Sequence, residues 1–122
     1  MEHNAIFDIQ TEGDFLIQAL RIFKFQYDNN VVYHDFCTYL NVQPDAVHTL
    51  EQIPFLPIEF FKSKDVLSTT DTPEIIFTSS GTTGSETSKH YVTDLSLYEQ
   101  SYLKAFKHFY GDIEDYCVVA LL

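Results

Sequence analysis

The chain has 122 residues, of which 18 are acidic and 7 are basic, so its formal net charge is −11. This charge disfavours nucleic acid and anionic membranes as partners, because affinity for phosphate-rich surfaces comes from clustered Lys and Arg. No apolar run approaches the roughly 20 residues that span a bilayer, and the acidic beginning MEHNAIFDIQ does not predict a signal peptide. We expect one domain at most, with no nucleic-acid or membrane partner.

The first half of the chain has the periodicity of helices. Apolar residues of a first helix recur at steps of three and four, which places them on one face. They are Leu16, Leu20, Phe23 and Tyr27. Asp14 is predicted to cap the start of this helix, and Asn29-Asn30 to end it. A second, shorter stripe consists of Tyr33, Phe36, Cys37 and Leu40. Pro44 then suits the first position of a further turn.

The segment IPFLPIEFFKSKDVL (53–67) contains two prolines that interrupt regular structure. Pro54 and Pro57 favour extended backbone at the residues before them. We therefore predict an extended, mostly buried crossing segment. Packing explains its Phe and Ile residues better than a proline-rich ligand motif does.

The two cysteines, Cys37 and Cys117, each lie inside an apolar pattern. We interpret both as buried free thiols of a cytoplasmic protein, in preference to a disulfide or a nucleophile.

After residue 73 the pattern changes to short strands followed by a helix. EIIFT (74–78) and KHYV (89–92) are β-type runs. The helix is expected to start at Asp94 or Ser96, and Ser96 and Glu99 have the spacing of a capping box. Its predicted buried stripe is Leu95, Tyr98, Tyr102, Phe106 and Phe109.

The chain finishes with an uninterrupted apolar run. Gly111 fits the position just past a helix end, and YCVVALL (116–122) is typical of a strand buried on both faces of a parallel sheet. A complete domain rarely ends inside such a strand. We therefore expect an incomplete α/β domain, with a helical leader over residues 1–50 and the start of a sheet over residues 51–122. With its last strand uncovered, such an N-terminal part of a longer protein is expected to self-associate.

Between the two short strands lies a loop, TSSGTTGSETSKH (78–90), that is almost without apolar side chains. Its two glycines allow a ligand to approach the backbone closely, and successive N–H groups in such a turn can converge on an anion. Hydroxyl groups and one lysine add donors and a positive charge. The candidate site residues are Thr78, Ser79, Ser80, Gly81, Thr82, Thr83, Gly84 and Lys89. This set suits a triphosphate, although composition alone favours a flexible polar turn.

Several sharper motifs are absent from the sequence. A Walker A loop would need a second glycine where Glu86 stands, followed by Lys. No G-x-S-x-G elbow marks a hydrolase serine, and the five histidines include no i, i+4 pair of the zinc-binding kind. The acidic cluster Asp112, Glu114 and Asp115 is better explained by a solvated turn than by a paired-carboxylate site.

The stretch FTSSGTTG (77–84) resembles the phosphate-binding loop of the adenylate-forming enzymes, which include acyl-CoA synthetases and peptide-synthetase adenylation domains. Those enzymes usually carry a lysine at the position occupied here by Thr87, whereas this chain has its lysine at Lys89. That departure argues against an ordinary acyl-CoA synthetase.

The later lysine instead looks like the acyl-protein synthetase branch. That branch is typified by the fatty-acid-activating component of the bioluminescence fatty-acid reductase, with phenylacetate–CoA ligase nearby. IPFLPIEFFKSKDV, Leu97-Tyr98 and FYG (109–111) fit the same branch. The resemblance covers residues 50–122 well and the helical leader weakly. It implies the start of an adenylate-forming-type sheet, in the order strand, phosphate loop, strand, helix, strand.

The resemblance also implies a reaction. A carboxylic acid, fatty or aryl, and ATP with Mg²⁺ would give an acyl-adenylate and pyrophosphate, after which the acyl group passes to a thiol of a protein or of coenzyme A. Residues 78–89 would hold the β- and γ-phosphates. The family's adenine-binding motifs, catalytic lysine and acceptor cysteine would lie beyond Leu122, so these residues alone are expected to be inactive. The alternative is a non-catalytic accessory or scaffolding domain, with the leader (1–50) docking a partner.

Overall fold

The computed structural model describes residues 3–79, 87–117 and 119. Four α-helices and two β-strands occur in this part of the chain. In chain order they are α1 (Glu12–Asn29), α2 (Val31–Tyr39), α3 (Phe60–Ser63), β1 (Ile75–Thr78), β2 (Lys89–Val92) and α4 (Leu95–Tyr110). The described residues thus form a mixed fold of helices with one small two-stranded sheet, α/β in the broad sense.

Helix α1 begins at a capping box. The side-chain oxygen of Thr11 accepts a hydrogen bond from the Asp14 N–H at 3.1 Å, and the Asp14 carboxylate accepts one from the Thr11 N–H at 2.9 Å. The predicted cap was therefore wrong, since Thr11 is the N-cap and Asp14 lies inside the first turn. In such a box, the side chain of each residue accepts a hydrogen bond from the backbone N–H of the other.

Asn30 joins α1 to α2. Its N–H donates to the carbonyl oxygen of Gln26 at 2.8 Å and closes α1, and its side-chain oxygen accepts from the Tyr33 N–H at 3.1 Å and opens α2. The predicted end of the first helix at Asn29-Asn30 is confirmed. The turn predicted at Pro44 is confirmed as a 3₁₀ helix, Pro44–Ala46.

The core lies between α1, α2 and the turns that follow them. Its buried side chains are Phe23, Tyr33, Cys37 and Val47. Phe23 and Tyr33 meet edge to face with their ring centroids 6.1 Å apart. Leu20 and Tyr27 pack against this cluster, as their helical spacing predicts. Leu40, the last residue of the second predicted helical stripe, is the C-cap residue just past the end of α2 and is 45% exposed.

The segment 53–67 is neither fully extended nor mostly buried, contrary to prediction. Phe55 is 80% exposed and Ile58 is 65% exposed. The chain turns into the short helix α3 shortly after Pro57, whose carbonyl oxygen accepts a hydrogen bond from the Phe60 N–H at 3.1 Å. Proline restricts the residue before it and does not prevent helix in the residues after it.

Strands β1 and β2 pair antiparallel, and both were predicted within one residue of their bounds. The register places Thr78 opposite Lys89 and Phe77 opposite His90. This hairpin is the only sheet within the described ranges.

Asp94 is the N-cap of helix α4, and its carboxylate accepts a hydrogen bond from the Ser96 N–H at 2.9 Å. Ser96 lies inside the helix, so the predicted capping box of Ser96 and Glu99 is wrong. The helix ends at Gly111 as predicted, with φ at 92°. A residue without a Cβ atom adopts this angle at little cost.

The predicted buried stripe of α4 is wrong, because no side chain of this helix is buried in the described structure. Tyr98 and Tyr102 are each 47% exposed, and Phe109 is 75% exposed. The aromatic rings contact one another instead of the core: Phe77 to Tyr98 at 5.1 Å and Tyr98 to Tyr102 at 5.6 Å between centroids.

The predicted final strand lies partly outside the described residues. Tyr116, Cys117 and Val119 are described, and they are exposed and belong to no strand. Cys37 is a buried free thiol, as predicted, whereas the free thiol of Cys117 is exposed. No helix among the described residues is both long enough and apolar enough to cross a membrane.

Candidate phosphate-binding site

The two strands bring the ends of the predicted phosphate loop side by side. Thr78 is the last residue of β1 and stands opposite Lys89, the first residue of β2. Beyond this pair, the Ser79 N–H donates to the Ser88 carbonyl oxygen at 3.2 Å, and the Ser88 N–H donates to the Ser79 side-chain oxygen at 3.1 Å. These two hydrogen bonds extend the pairing of the strands by one residue on each side. We call the residues 78, 79, 88 and 89 the stem of the hairpin, and the two ends of the loop lie next to each other at this stem.

Three of the predicted site residues are described, and the stem brings them together. Thr78, Ser79 and Lys89 are all exposed to solvent. Ser80, Gly81, Thr82, Thr83 and Gly84 lie outside the described residues. The ammonium group of Lys89 has no carboxylate within ion-pair distance among the described residues.

Ser88 belongs to the stem and was not among the predicted site residues. It is only 5% exposed, and its backbone makes both hydrogen bonds to Ser79. The sequence offered one signal for this role: Ser88 directly precedes the first residue of a predicted strand. Residues that flank a hairpin loop often extend the hydrogen bonds between the two strands.

A second element supports β2 from outside the hairpin. The ring of Phe61 in α3 stacks on the ring of His90, with centroids 4.7 Å apart and planes inclined by 22°. The Tyr91 hydroxyl donates to the Asp65 carboxylate at 2.6 Å, and this hydrogen bond raises the pKa of Tyr91 above its ordinary value. Sequence reasoning missed both contacts, because they join residues more than 20 positions apart with no shared periodicity.

The ring contact of His90 and the hydrogen bond of Tyr91 join β2 to residues 61–65, and the hydrogen bonds of the hairpin join it to β1. The arrangement can present hydroxyl groups and an ammonium group to an anion from a fixed strand. Within the described ranges, no group of three or more His, Cys, Asp or Glu side chains is placed to hold a metal ion.

Comparison with protein-family models, with curated proteins and with solved structures gives no match for this chain. The loop sequence and the geometry of the hairpin that carries it are therefore the features that bear on function.

Proposed function

We propose that the β1–β2 hairpin holds the triphosphate of ATP in an acyl-activating ligase of the adenylate-forming kind. The observation that carries the proposal is the pairing of Thr78 with Lys89. It supports a site in which the hydroxyl-rich start of the loop and the lysine at its end face the same ligand. The order of strand, loop, strand and helix is also the order that the family resemblance implies.

In this proposal the acid's carboxylate oxygen attacks the α-phosphorus of ATP. The bond from that phosphorus to the bridging oxygen breaks, and pyrophosphate leaves with the electron pair. The hydroxyl groups of Thr78 and Ser79 would donate to phosphate oxygens, and Lys89 would offset their charge. Gly81, Gly84 and the hydroxyl residues between them join the site on sequence grounds alone. A thiol of an acceptor protein or of coenzyme A would then take the acyl group from the adenylate.

Mg²⁺ fits this site through the nucleotide. The ion usually keeps several waters and is bound through one or two carboxylates together with substrate phosphates, with no dedicated protein cage. We assign Mg²⁺ no ligand from this chain.

We also propose that the protein is cytoplasmic. Both cysteines are free thiols, and reducing compartments keep thiols in that state. ATP as a substrate fits the same compartment.

The experiment is carboxylate-dependent exchange of labelled pyrophosphate into ATP. The protein is expressed from its complete reading frame and assayed against a panel of fatty and aryl acids. We expect exchange with at least one acid and none when the acid is omitted. If no acid of the panel supports exchange, the ligase proposal fails.

A second candidate is a non-catalytic accessory or scaffolding domain. The exposed aromatic side chains of α4, among them Tyr98, Tyr102 and Phe109, favour it because exposed apolar surface often marks contact with another protein. Co-purification of a specific partner, in amounts that ATP does not change and without pyrophosphate exchange, would support this candidate over the ligase.

A further inference from the structure

The two ends of one short segment contact adjacent residues of β2. The ring of Phe61 in α3 stacks on the ring of His90, with centroids 4.7 Å apart. A few residues further along, the Asp65 carboxylate accepts a hydrogen bond from the Tyr91 hydroxyl at 2.6 Å. We call residues 61–65 the clasp. Its two contacts fall on the two middle residues of β2.

The clasp contacts β2 from both faces of the hairpin. Adjacent residues of a strand project from opposite faces, so the side chains of His90 and Tyr91 leave β2 in opposite directions. One edge of β2 is occupied by its pairing with β1. Because the clasp reaches a side chain on each face, it lies along the other edge of β2.

One of these faces also carries two residues of the candidate phosphate site. Lys89 is two positions before Tyr91 in β2, so both side chains leave the same face of the strand. Thr78 stands directly opposite Lys89, and directly opposite residues of an antiparallel pair share a face. The hydrogen bond between Tyr91 and Asp65 therefore lies on the face that presents the Thr78 hydroxyl and the Lys89 ammonium group.

We propose that Tyr91 and Asp65 are positioning residues for the phosphate site, whose hydrogen bond fixes β2 so that Lys89 and Thr78 meet the phosphate chain of ATP together. A two-stranded hairpin is marginally stable in water by itself and depends on packing against other elements. The clasp supplies such packing at the strand that carries Lys89. The identity of the ligand rests on the proposed function. Neither Tyr91 nor Asp65 is assigned a contact with ATP.

Calorimetric titration with MgATP tests this role in the protein expressed from its complete reading frame. Tyr91→Phe removes the hydroxyl and keeps the ring, and we expect the Kd for MgATP to rise about threefold or more, because β2 loses one of its supports. Asp65→Ala and Asp65→Asn both remove the negative charge, but only asparagine keeps an oxygen that can accept from Tyr91. Asp65→Ala should therefore bind MgATP about threefold or more weakly than Asp65→Asn. Adding Tyr91→Phe to Asp65→Ala should change nothing further, because both variants break the same bond.

Tyr116→Phe is the matched control. The Tyr116 hydroxyl also donates a hydrogen bond of 2.6 Å, to the carbonyl oxygen of Tyr110 at the end of α4. This variant should leave the Kd for MgATP unchanged, even where it lowers the melting temperature as much as Tyr91→Phe does. Hydrogen exchange of the β2 amides should become faster in Tyr91→Phe and not in Tyr116→Phe, and circular dichroism checks that all variants are folded.

Three results would overturn the proposal. The first is a Tyr91→Phe variant that binds MgATP as tightly as the wild type. The second is a Tyr116→Phe variant that loses as much affinity as Tyr91→Phe, since general stability would then account for both. The third is an Asp65→Asn variant that binds as weakly as Asp65→Ala, since the hydrogen bond would then have no part in binding.

Pyrophosphate exchange distinguishes this proposal from the ligase proposal. Exchange by a protein whose affinity for MgATP does not depend on Tyr91 rejects the positioning role and leaves the ligase intact. Binding of MgATP that depends on Tyr91 as expected, in a protein that exchanges with no acid, keeps the positioning role and rejects the ligase. A wild type that does not bind MgATP rejects both.

Discussion

The hydroxyl group of Tyr33 donates a hydrogen bond to the backbone carbonyl oxygen of Pro54 at 2.6 Å. Tyr33 lies in α2 and is only 8% exposed, and Pro54 begins the segment that leads to α3. Burial, more than any charge nearby, raises the pKa of Tyr33 above its ordinary value, so the hydroxyl remains a donor. The contact ties the helical pair to the segment that supports the hairpin.

Tyr33→Phe removes this hydrogen bond while keeping the ring that packs on Phe23. We expect the free energy of unfolding to fall by about 1–2 kcal/mol, because a partly buried carbonyl loses its donor. Urea denaturation measures the change. Tyr39→Phe is the matched control, since Tyr39 is 85% exposed and its hydroxyl has no partner within the described ranges. Equal stability of the two variants would show that the bond to Pro54 contributes nothing.

Gly111→Ala should destabilise the end of α4. Its φ of 92° is strained for any residue with a Cβ atom, although space for that atom is open. Together with its ψ of −158°, this angle falls in a region that is essentially restricted to glycine, so we expect a loss of about 1–3 kcal/mol in the free energy of unfolding. Gly13→Ala provides the comparison, because Gly13 lies in the first turn of α1 and its added Cβ would meet only Thr11 Oγ1, at 3.7 Å. That variant should be neutral or slightly stabilised, and thermal melts that rank the two the other way would contradict the argument.

The capping box of α1 makes stability depend on acid pH. The Thr11 hydroxyl, and then the Gln10 and Thr11 N–H groups, hold the pKa of Asp14 below its ordinary value of 3.8. A lowered pKa in the folded state contributes stability above the unfolded value, and that stability is lost as pH falls through the folded value. We therefore expect Asp14→Asn to lower the melting temperature at about pH 6 and to have less effect at about pH 3. A difference between variant and wild type that stays constant over this range would contradict the assignment.

Lys89→Ala tests the hairpin as a phosphate site. In the protein from the complete reading frame, we expect the apparent affinity for ATP to fall about tenfold or more, because a charge-assisted contact to phosphate is lost. The fold should be unaffected, since Lys89 is exposed and makes no ion pair with a described residue. Lys24→Ala removes the same charge from α1 and should leave the KM for ATP unchanged. If both variants behave as the wild type, the loop has no part in binding ATP.

Local patterns predicted the parts of this fold that depend on local interactions. The end of α4 follows from Gly111, which has no Cβ atom, and the end of α1 lies at Asn29-Asn30, as the sequence predicted. The two strands follow from β-type runs on either side of one loop, whereas their antiparallel pairing was not predicted. In each case the deciding interaction lies within a few residues or within one hairpin.

The failures concern what covers an element and what touches it from a distance. Helical spacing places Tyr98 and Tyr102 on one face of α4, but it cannot show whether another element buries that face. The stacking of Phe61 on His90 likewise depends on how α3 and β2 are brought together in space.

Asn30 has a consequence for how the helical pair opens. An opening that moves this side chain leaves the Tyr33 N–H without its acceptor and deprives the Ser68 hydroxyl of the amide that donates to it at 3.2 Å. When its backbone moves as well, the Gln26 carbonyl oxygen loses its donor. The last turn of α1 and the first turn of α2 should therefore open together, and hydrogen exchange should give their amide protons one common free energy of opening. Two helices that are separate along the chain thus behave, at their junction, as a single cooperative unit.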